Sequence, residues 1–336
     1  MPIITLANGK QFSADTSETI LDASLRAGIV LEHSCKTGRC GSCKTRIHGG
    51  SSIPLVDEIG LSQAEREAGW ILTCARSATS DVQLDTEDLG DIQVYPAKTL
   101  PCRIQKLEQL STDVLRVTLR LPPSQQLDYL PGQYIDVIGQ NGLRRSYSVA
   151  NAPTNDKSIE LHIRQVREGA MSGYWFEEAK VNDLLRINGP LGTFFLRDVS
   201  GRDVIFLATG TGIAPVKAML EGMAGLAEAS LPRSISIYWG GRVPQDLYWD
   251  PETLGLAVHY VPVLSRADSS WKGARGHVQQ AVLQSGLKFG NAVVYACGSL
   301  AMIDSARAEL VAAGLNERRF YSDAFVSSSH DLKESS

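Results

Sequence analysis

Four cysteines sit in the first quarter of the chain. CKTGRCGSC holds Cys35, Cys40 and Cys43, and Cys74 in ILTCARS follows after thirty intervening residues, giving C-x4-C-x2-C and a distant fourth thiol. Four thiolates converging at this spacing suit a plant-type [2Fe-2S] cluster. Gly38 and Gly41 free the loop to wrap closely enough for backbone N–H groups to face the sulfides. Two other arrangements stay open. One is a structural zinc site, which ordinarily shows two separated C-x2-C pairs, and the other is four unrelated buried thiols. Cys102 stands apart and has no assigned role.

Other stretches combine glycine, hydroxyl and cation in ways that suit phosphates. RRSYSVANAP carries Arg145, Ser146, Tyr147 and Ser148. A guanidinium pairs with phosphate and a phenol ring packs on a flat heterocycle, although an amphipathic strand with an exposed arginine pair explains the same residues. GAMS, from Gly169 through Met171 to Ser172, reads as a helix start, where free N–H groups and the dipole favour a diphosphate or where Ser172 simply caps. ATGTGIAP follows a buried strand, so Gly210, Thr211 and Gly212 form a turn against which a pyrophosphate can rest. Pro215 stands where the dinucleotide fingerprint G-x-G-x-x-G/A has its last glycine or alanine, and a plain strand-to-helix turn is the alternative. In YACGSLAM, Cys297 and Gly298 lie at a strand-to-helix boundary. Taken alone, Cys297 reads as a buried inert thiol and Met302 as core.

The elements that must position these residues fall into three patterns. PIITLANGKQFSAD alternates about Asn8-Gly9, which predicts a hairpin with a two-residue type I′ turn. TILDASLRAG has helical spacing closed by Gly28, and Ser62 to Glu65 is a capping box opening a helix that Gly69 ends. This is a small α+β unit over 1–95. After a turn expected around Pro96 and Pro101, the runs DVLRVTLRL, GQYIDVI, RRSYSVA, SIELHIRQV and DLLRING predict an antiparallel β-barrel over 98–198. From 199 to 326, DVIFLAT, SISIYWG, HYVPVLS and NAVVYACG are strands buried on both faces, interleaved with helix-period stretches, and predict a parallel α/β unit. The tail 327–336 is expected to be disordered.

Composition removes other classes. The 336 residues carry 33 basic and 37 acidic side chains, a net of −4 and a pI near 5.9, without the electrostatic footprint of a nucleic-acid or anionic-membrane binder. No run approaches the ~18 apolar residues that span a bilayer. The first residues lack the basic head and apolar run of a signal peptide, so a cytoplasmic protein with reduced thiols is expected. Residues 1–97 alone hold eight basic and thirteen acidic side chains.

YLPGQYIDV, GLRRSYSVANAP, VYACGSLAMI, FYSDAF and the cysteine loop together resemble the flavin-dependent reductases with a fused plant-type ferredoxin, over nearly the whole chain to about Phe325. The resemblance implies a multidomain protein: a β-grasp ferredoxin, a flavin-binding barrel and a nicotinamide-binding α/β domain. It implies FAD, with FMN in some cousins, and NADH, with NADPH open through Arg242 in YWGGRVPQDLYW. It places Arg145, Tyr147 and Ser148 at the flavin, with Ser148 beside the nitrogen that accepts hydride. Gly169, Met171 and Ser172 fall at the diphosphate, and Gly210, Thr211, Gly212 and Pro215 at the nicotinamide dinucleotide. Cys297 and Gly298 fall near the carbon that gives up hydride. Of Phe320, Tyr321 and Phe325, it favours Phe325 as the aromatic over the flavin. The electrons go to a partner protein docking near the cluster domain, whose acidity predicts a salt-sensitive encounter. The wording lies nearest the branch that serves a pyridoxamine-phosphate-dependent dehydratase of 3,6-dideoxyhexose synthesis; the alternatives are the reductase component of an oxygenase and a non-enzymatic iron-sulfur redox sensor.

Overall fold

The computed structural model describes residues 1–139 and 142–326; the expected disordered tail, 327–336, lies outside the described residues. The chain divides into two compact units, Met1–Gln93 and one that begins at Val94. The barrel strands and the parallel sheet share the second unit.

The first unit contains β1 (Ile3–Thr5), β2 (Gln11–Ser13), α1 (Ile20–Arg26), β3 (Lys44–Gly49), β4 (Ser52–Pro54), α2 (Gln63–Glu67), β5 (Trp70–Leu72), β6 (Arg76–Ala78) and β7 (Val82–Leu84). Its five-stranded sheet runs β2-β1-β7-β3-β5, with β1 parallel to β7, and β4 pairs separately with β6. Helix α1 starts where the Thr19 hydroxyl accepts the Asp22 N–H, and it lays Ile20, Leu21 and Ala23 against Ile4, Phe12 and Leu72. It stops at Gly28, φ +73°, where the Ile29 and Gly28 N–H groups return to the Ser24 and Leu25 carbonyls, a Schellman end. The Ser62–Glu65 capping box forms as expected.

The turn at Asn8-Gly9 differs from the expected type. Leu6 and Lys10 close the loop, Gly9 N–H donates to the Leu6 carbonyl, and only Gly9 has positive φ. This is a three-residue loop with a glycine bulge, not a type I′ turn. Asn8 is spared the left-handed region and instead uses its side chain on the Lys10 N–H and the Asp88 carboxylate.

The second unit opens with a six-stranded antiparallel sheet. Its strands are β8 (Lys98–Ser111), β9 (Val114–Arg120), β10 (Tyr134–Ile138), β11 (Arg144–Ser148), β12 (Ile159–Arg164) and β13 (Leu184–Leu191), in the order β11-β10-β13-β8-β9-β12. A bridge between Val149 and Leu161 joins the two ends into a barrel filled by Ile104, Val117, Leu119, Ile135, Leu161 and Trp175. Pro101 lies inside β8, not in a turn. There β8 pairs only with β13, and pairing with β9 begins at Arg103, so the missing proline N–H costs no ladder bond. Between β12 and β13, α3 (Ala170–Gly173) continues into a π-helical turn, Tyr174–Glu178.

Then come β14 (Asp203–Thr209), α4 (Ile213–Ala224), β15 (Ser234–Gly241), β16 (His259–Leu264), β17 (Ala274–Arg275), α5 (Val278–Gln284), β18 (Ala292–Ser299), α6 (Leu300–Ala312) and β19 (Phe320–Phe325). The sheet is parallel throughout, in the order β17-β16-β15-β14-β18-β19. FYSDAF thus forms the edge strand, whose exposed outer side blurred the buried-strand pattern.

Barrel and parallel sheet are joined through buried charge. Lys217 of α4 donates to the Glu221 carboxylate (2.6 Å) and the Ala150 carbonyl (3.1 Å), and its ammonium lies 3.2 Å from Glu160 of β12. Glu160 also pairs with His162 at 2.8 Å, whose other ring nitrogen lies 3.2 Å from the Tyr248 hydroxyl. Burial disfavours charge on His162 more strongly than Glu160 favours it, so its pKa lies below the ordinary 6.5. The unfolded chain therefore binds a proton near pH 6.5 that the folded chain refuses until lower pH. Stability of the second unit is expected to fall as pH drops from 7 through this window. Denaturant titrations against pH check it, and His162→Gln should flatten the slope.

Candidate functional site

The cysteine loop is built by backbone that only small or strained residues allow. Lys36, Gly38 and Gly41 all have positive φ, and a Cβ on Gly38 would fall 2.2 Å from the Asp57 carbonyl. That contact, with the Gly60 N–H donating to the Gly38 carbonyl at 2.8 Å, presses segment 57–60 onto the loop. Cys74 enters from the turn between β5 and β6.

The thiols gather in twos. Cys43 and Cys74 lie with sulfurs 3.2 Å apart, and Cys35 accepts the backbone N–H groups of Thr37 and Cys40 at 3.4 Å. The Cys40 thiol, with Thr37, pulls the Cys35 pKa down to about 5 against its burial, while Cys40 as the donor is pushed up. In the other pair Cys43 is pushed up and Cys74 drawn down. Two pairs are the donor set a two-iron cluster needs, each iron taking two thiolates beside the bridging sulfides. Among the described residues no group of three or more His, Cys, Asp or Glu side chains gathers to hold one metal ion.

In the barrel, strand alternation puts Arg145 and Tyr147 on one side of β11 and Ser146 and Ser148 on the other. Ser146 donates to Asp136 at 2.6 Å, and the half-buried Ser148 hydroxyl has no protein partner among the described residues. A planar ligand meets Tyr147 and Ser148 together only by lying across the β11 edge, which is where the barrel closes through that one bridge outside the named strands. Tyr147 is fixed by Trp175, whose indole N–H donates to its hydroxyl at 3.0 Å, and burial raises its pKa to about 12. Trp175 belongs to the turn that follows Gly169–Ser172, so this bond ties together the two segments expected at the flavin. Gly169 and Ser172 line an open cleft of about 620 Å³. The Ser172 hydroxyl accepts the Val166 N–H at 2.9 Å, keeping its own proton to donate. Met171 points into the barrel core, which leaves only its backbone for a ligand.

In the parallel sheet, the glycine turn and the end of β18 are forced together. A Cβ on Gly212 would lie 2.2 Å from the Cys297 carbonyl, and one on Gly298 2.0 Å from the Thr209 hydroxyl oxygen. The turn is anchored by the Trp239 indole donating to the Gly210 carbonyl at 2.9 Å, and buried Pro215 sits in the first turn of α4, where its missing N–H is not needed. A second cleft, about 500 Å³, opens over the strand ends beside the point where strand order reverses. Thr209, Gly210, Gly240, Arg242, Gln279 and Met302 are on its wall, so Met302 serves both core and cleft. Thr211, Gly212 and Cys297 are buried behind it, and burial holds the Cys297 thiol protonated. Phe325 stands 44% exposed at the end of β19.

Residue types and spacing did not disclose the ionic cluster beside this cleft. Arg242, read as a possible partner for a 2′-phosphate, is bound by Asp246 through two side-chain bonds (2.8 and 3.0 Å) and by Asp113 (3.0 Å). Asp113 also takes Arg164. Gln279 is nearly buried, donates to Ser305 at 3.0 Å and leaves its carbonyl oxygen unpaired in the cleft wall. A helical glutamine gives no sequence signal of this kind.

Three family descriptions match: "2Fe-2S iron-sulfur cluster binding domain" over 4–79, "Oxidoreductase FAD-binding domain" over 101–196 and "Oxidoreductase NAD-binding domain" over 206–308. CDP-6-deoxy-L-threo-D-glycero-4-hexulose-3-dehydrase reductase of Yersinia pestis is 44% identical, covering 96% of this chain and 97% of that protein. The chain belongs to the fused ferredoxin reductase family. It is an electron-transfer oxidoreductase that uses NAD(P)H, FAD and a [2Fe-2S] cluster. The reductase is also 40% identical to Protein RfbI of Salmonella typhimurium, covering 95% of each, and 32% identical to the xylene/toluene monooxygenase electron transfer component XylA of Pseudomonas putida, covering 94% and 91%. Among solved structures it resembles an Amycolatopsis cytochrome P450 reductase, GcoB, with a TM-score of 0.72 and 27% identity over 97% of this chain and 99% of that one. The flavin and nicotinamide domains set aside the non-enzymatic sensor reading. Among the described residues no helix is long and apolar enough to cross a membrane.

Gly212→Ala drives a Cβ into the Cys297 carbonyl and must part the turn from β18. A shift of that size at a reacting centre is expected to lower kcat/KM for NADH by about a hundredfold. Steady-state ferricyanide reduction measures it, with bound flavin absorbance reporting an intact barrel.

Proposed function

We propose that this reductase takes electrons from NADH and passes them singly to a pyridoxamine-phosphate-dependent dehydratase acting on a CDP-4-keto-6-deoxyhexose in 3,6-dideoxysugar synthesis. The observation that carries the reading is 44% identity to the Yersinia dehydrase reductase against 32% to the xylene/toluene monooxygenase component, both over nearly the whole chain. Service to an oxygenase is the second reading, favoured by the shared domain set alone.

Bound flavin supplies the exchange between a two-electron hydride donor and a one-electron cluster. The residues that hold and aim these groups are our assignment. Cys35 with Cys40 takes one iron and Cys43 with Cys74 the other. Arg145 meets flavin phosphate, Tyr147 packs on the ring system under the restraint of Trp175, and Ser148 presents its free hydroxyl to the hydride-accepting nitrogen. Gly169, the Met171 backbone and Ser172 receive the diphosphate. Gly210 supports the nicotinamide dinucleotide at the cleft wall, and Thr211, Gly212 and Pro215 hold the turn in shape. Cys297 and Gly298 back the nicotinamide; a thiol so buried acts by filling space, not by proton transfer. Phe325 is exposed enough to swing over a flavin. Arg242, already shared by two carboxylates, leaves a 2′-phosphate to compete for it, which supports NADH over NADPH. Six free cysteines fit a reducing cytoplasm.

The acceptor docks near the thiol loop. Ile53, Leu55, Val56 and Ile59 are all exposed there, and the Leu55 N–H bonds the carbonyl of Ala75, next to Cys74. Along 32–76 six bases balance five acids, so the acid surplus of this unit belongs to the flanking segments. Apolar contact therefore seats an acceptor with an apolar face, and the acid surplus steers its approach.

The deciding assay is NADH-driven turnover with the dehydratase and its CDP-ketodeoxyhexose, scoring the 3-deoxygenated sugar. Product well above the level given by a generic ferredoxin reductase is expected. No product with brisk cytochrome c reduction would transfer the reading to an oxygenase. Ile59→Glu with Leu55→Glu is expected to raise the half-saturating dehydratase concentration about tenfold, the loss being confined to the protein acceptor.

A further inference from the structure

Asp113, in the tight turn between β8 and β9, reaches both clefts of the second unit. It lines the flavin-side cleft with Gly169 and Ser172. Its Oδ2 accepts from Arg164 Nε and Nη2 (3.1 and 2.9 Å) and from Arg242 Nη2 (3.0 Å), and both arginines line the nicotinamide-side cleft. Arg164 Nη1 lies 2.8 Å from where a Cβ of Gly210 would stand, directly against the glycine turn. With Asp246 on Arg242, two cations and two carboxylates face one another in balance. The carboxyl of Asp113 is held below its ordinary range: burial opposes its charge, but Arg164 and then Arg242 outweigh burial.

A pyrophosphate laid against Gly210 meets Arg164 already engaged. The Arg164 side chain is 35% exposed and that of Asp113 23%, so their bond is solvent-screened and readily exchanged. A pyrophosphate offers the guanidinium more negative charge and a matching fork of oxygens. Asp113 loses less than Arg164 gains, because Arg242 stays within its reach.

We propose that Asp113 is a resident anion of the nicotinamide cleft, occupying Arg164 while the cleft is empty and yielding it to the pyrophosphate of the incoming dinucleotide. The proposal rests on the reading of this cleft as the nicotinamide site. Asp113 acts through Arg164, so it is a positioning residue. It lowers affinity in exchange for keeping the guanidinium extended toward the turn and blocking its collapse onto other anions. Its place in the flavin-side wall makes each exchange alter the charge balance beside the flavin motif as well.

The test compares Asp113→Asn and Asp113→Glu with wild type in NADH-dependent ferricyanide reduction over a series of ionic strengths. Removing the competing anion is expected to lower KM for NADH about tenfold, with KM rising more steeply with salt, while the Glu variant stays near wild type. A KM that is unchanged or raised in the Asn variant overturns the proposal; a merely structural ion pair would lower the melting temperature without tightening NADH binding. A crystal structure of the wild-type protein with NAD⁺ is a second test that needs no variant. Arg164 on the pyrophosphate and off Asp113 is expected. Dinucleotide seated at Gly210 with the Arg164–Asp113 bond intact overturns the exchange alone, and dinucleotide seated elsewhere overturns the site reading with it.

Discussion

A buried ammonium governs the half of the molecule that handles hydride. Lys217 has little contact with solvent, and its charge is balanced by Glu160 and Glu221 and capped by the Ala150 carbonyl. Three separate parts of the chain place these four groups. Ala150 lies two residues after Ser148 in the flavin motif, Glu160 is on β12, and Lys217 and Glu221 occupy α4, which begins directly after the glycine turn. The second Glu221 oxygen takes the Ala152 N–H at 2.9 Å, tying the segment after Ser148 to α4 twice. A charge removed from water must be fully satisfied or it destabilises the fold by several kcal/mol. These bonds fix how the barrel and the parallel sheet meet, and with it the place of the β11 edge, which we assign to the flavin, relative to the glycine turn, which we assign to the nicotinamide dinucleotide. Hydride transfer demands reacting atoms within about 3–3.5 Å, a tolerance that a solvated interface would not hold.

Close backbone contact then sets the finer geometry. Gly212 against Cys297 and Gly298 against Thr209 leave no room for any side chain, so the glycine turn and the end of β18 behave as one surface. The same economy appears in the iron–sulfur unit, where Gly38 brings the thiol loop onto the carbonyl of Asp57. In both places glycine serves approach more than flexibility. The cluster unit has its own core around Ile4, Ile20, Leu21 and Leu72, so its thiol pairs are held by packing inside that unit.

The thiol motif was legible because its spacing is local and its chemistry narrow: few arrangements of four cysteines suit anything else. Strand and helix types were legible wherever burial was one-sided or complete. Local rules failed where another strand or a distant side chain decided the outcome. Asn8-Gly9 suggested a type I′ turn, but the register Thr5 to Gln11 gives the loop a third residue. Pro101 resembled a turn residue, yet β8 tolerates it because β9 begins pairing only two residues later. The Asp113–Arg242 contact spans 129 positions, and nothing in either neighbourhood announces it. Cys297 reads from its residue type as a buried thiol, and the packing around β18 leaves it no exposed surface.

Two relatives of this chain are named for different systems, a dehydrase in one and a xylene/toluene monooxygenase in the other. The dehydrase reductase and the monooxygenase component both match this chain along nearly all its length. Clefts that bind FAD and NAD(P)H are constrained by those cofactors whatever protein accepts the electrons. Discrimination is thus free to arise only on surface that meets the acceptor and does nothing else. Under the docking we propose, the segment Ile53–Ile59 fits that condition at every position but buried Glu58: its other side chains are exposed, while its backbone is held to the thiol loop by the Leu55 bond to Ala75 and the close approach of the Asp57 carbonyl to Gly38. Apart from Glu58, whose carboxylate holds the Leu72 N–H and Arg76 on either side of Cys74, side chains there can vary without disturbing the thiols, and the backbone beneath would keep an acceptor docked there at a constant distance from them. On the docking we propose, partner choice and electron delivery fall to the two faces of one short segment.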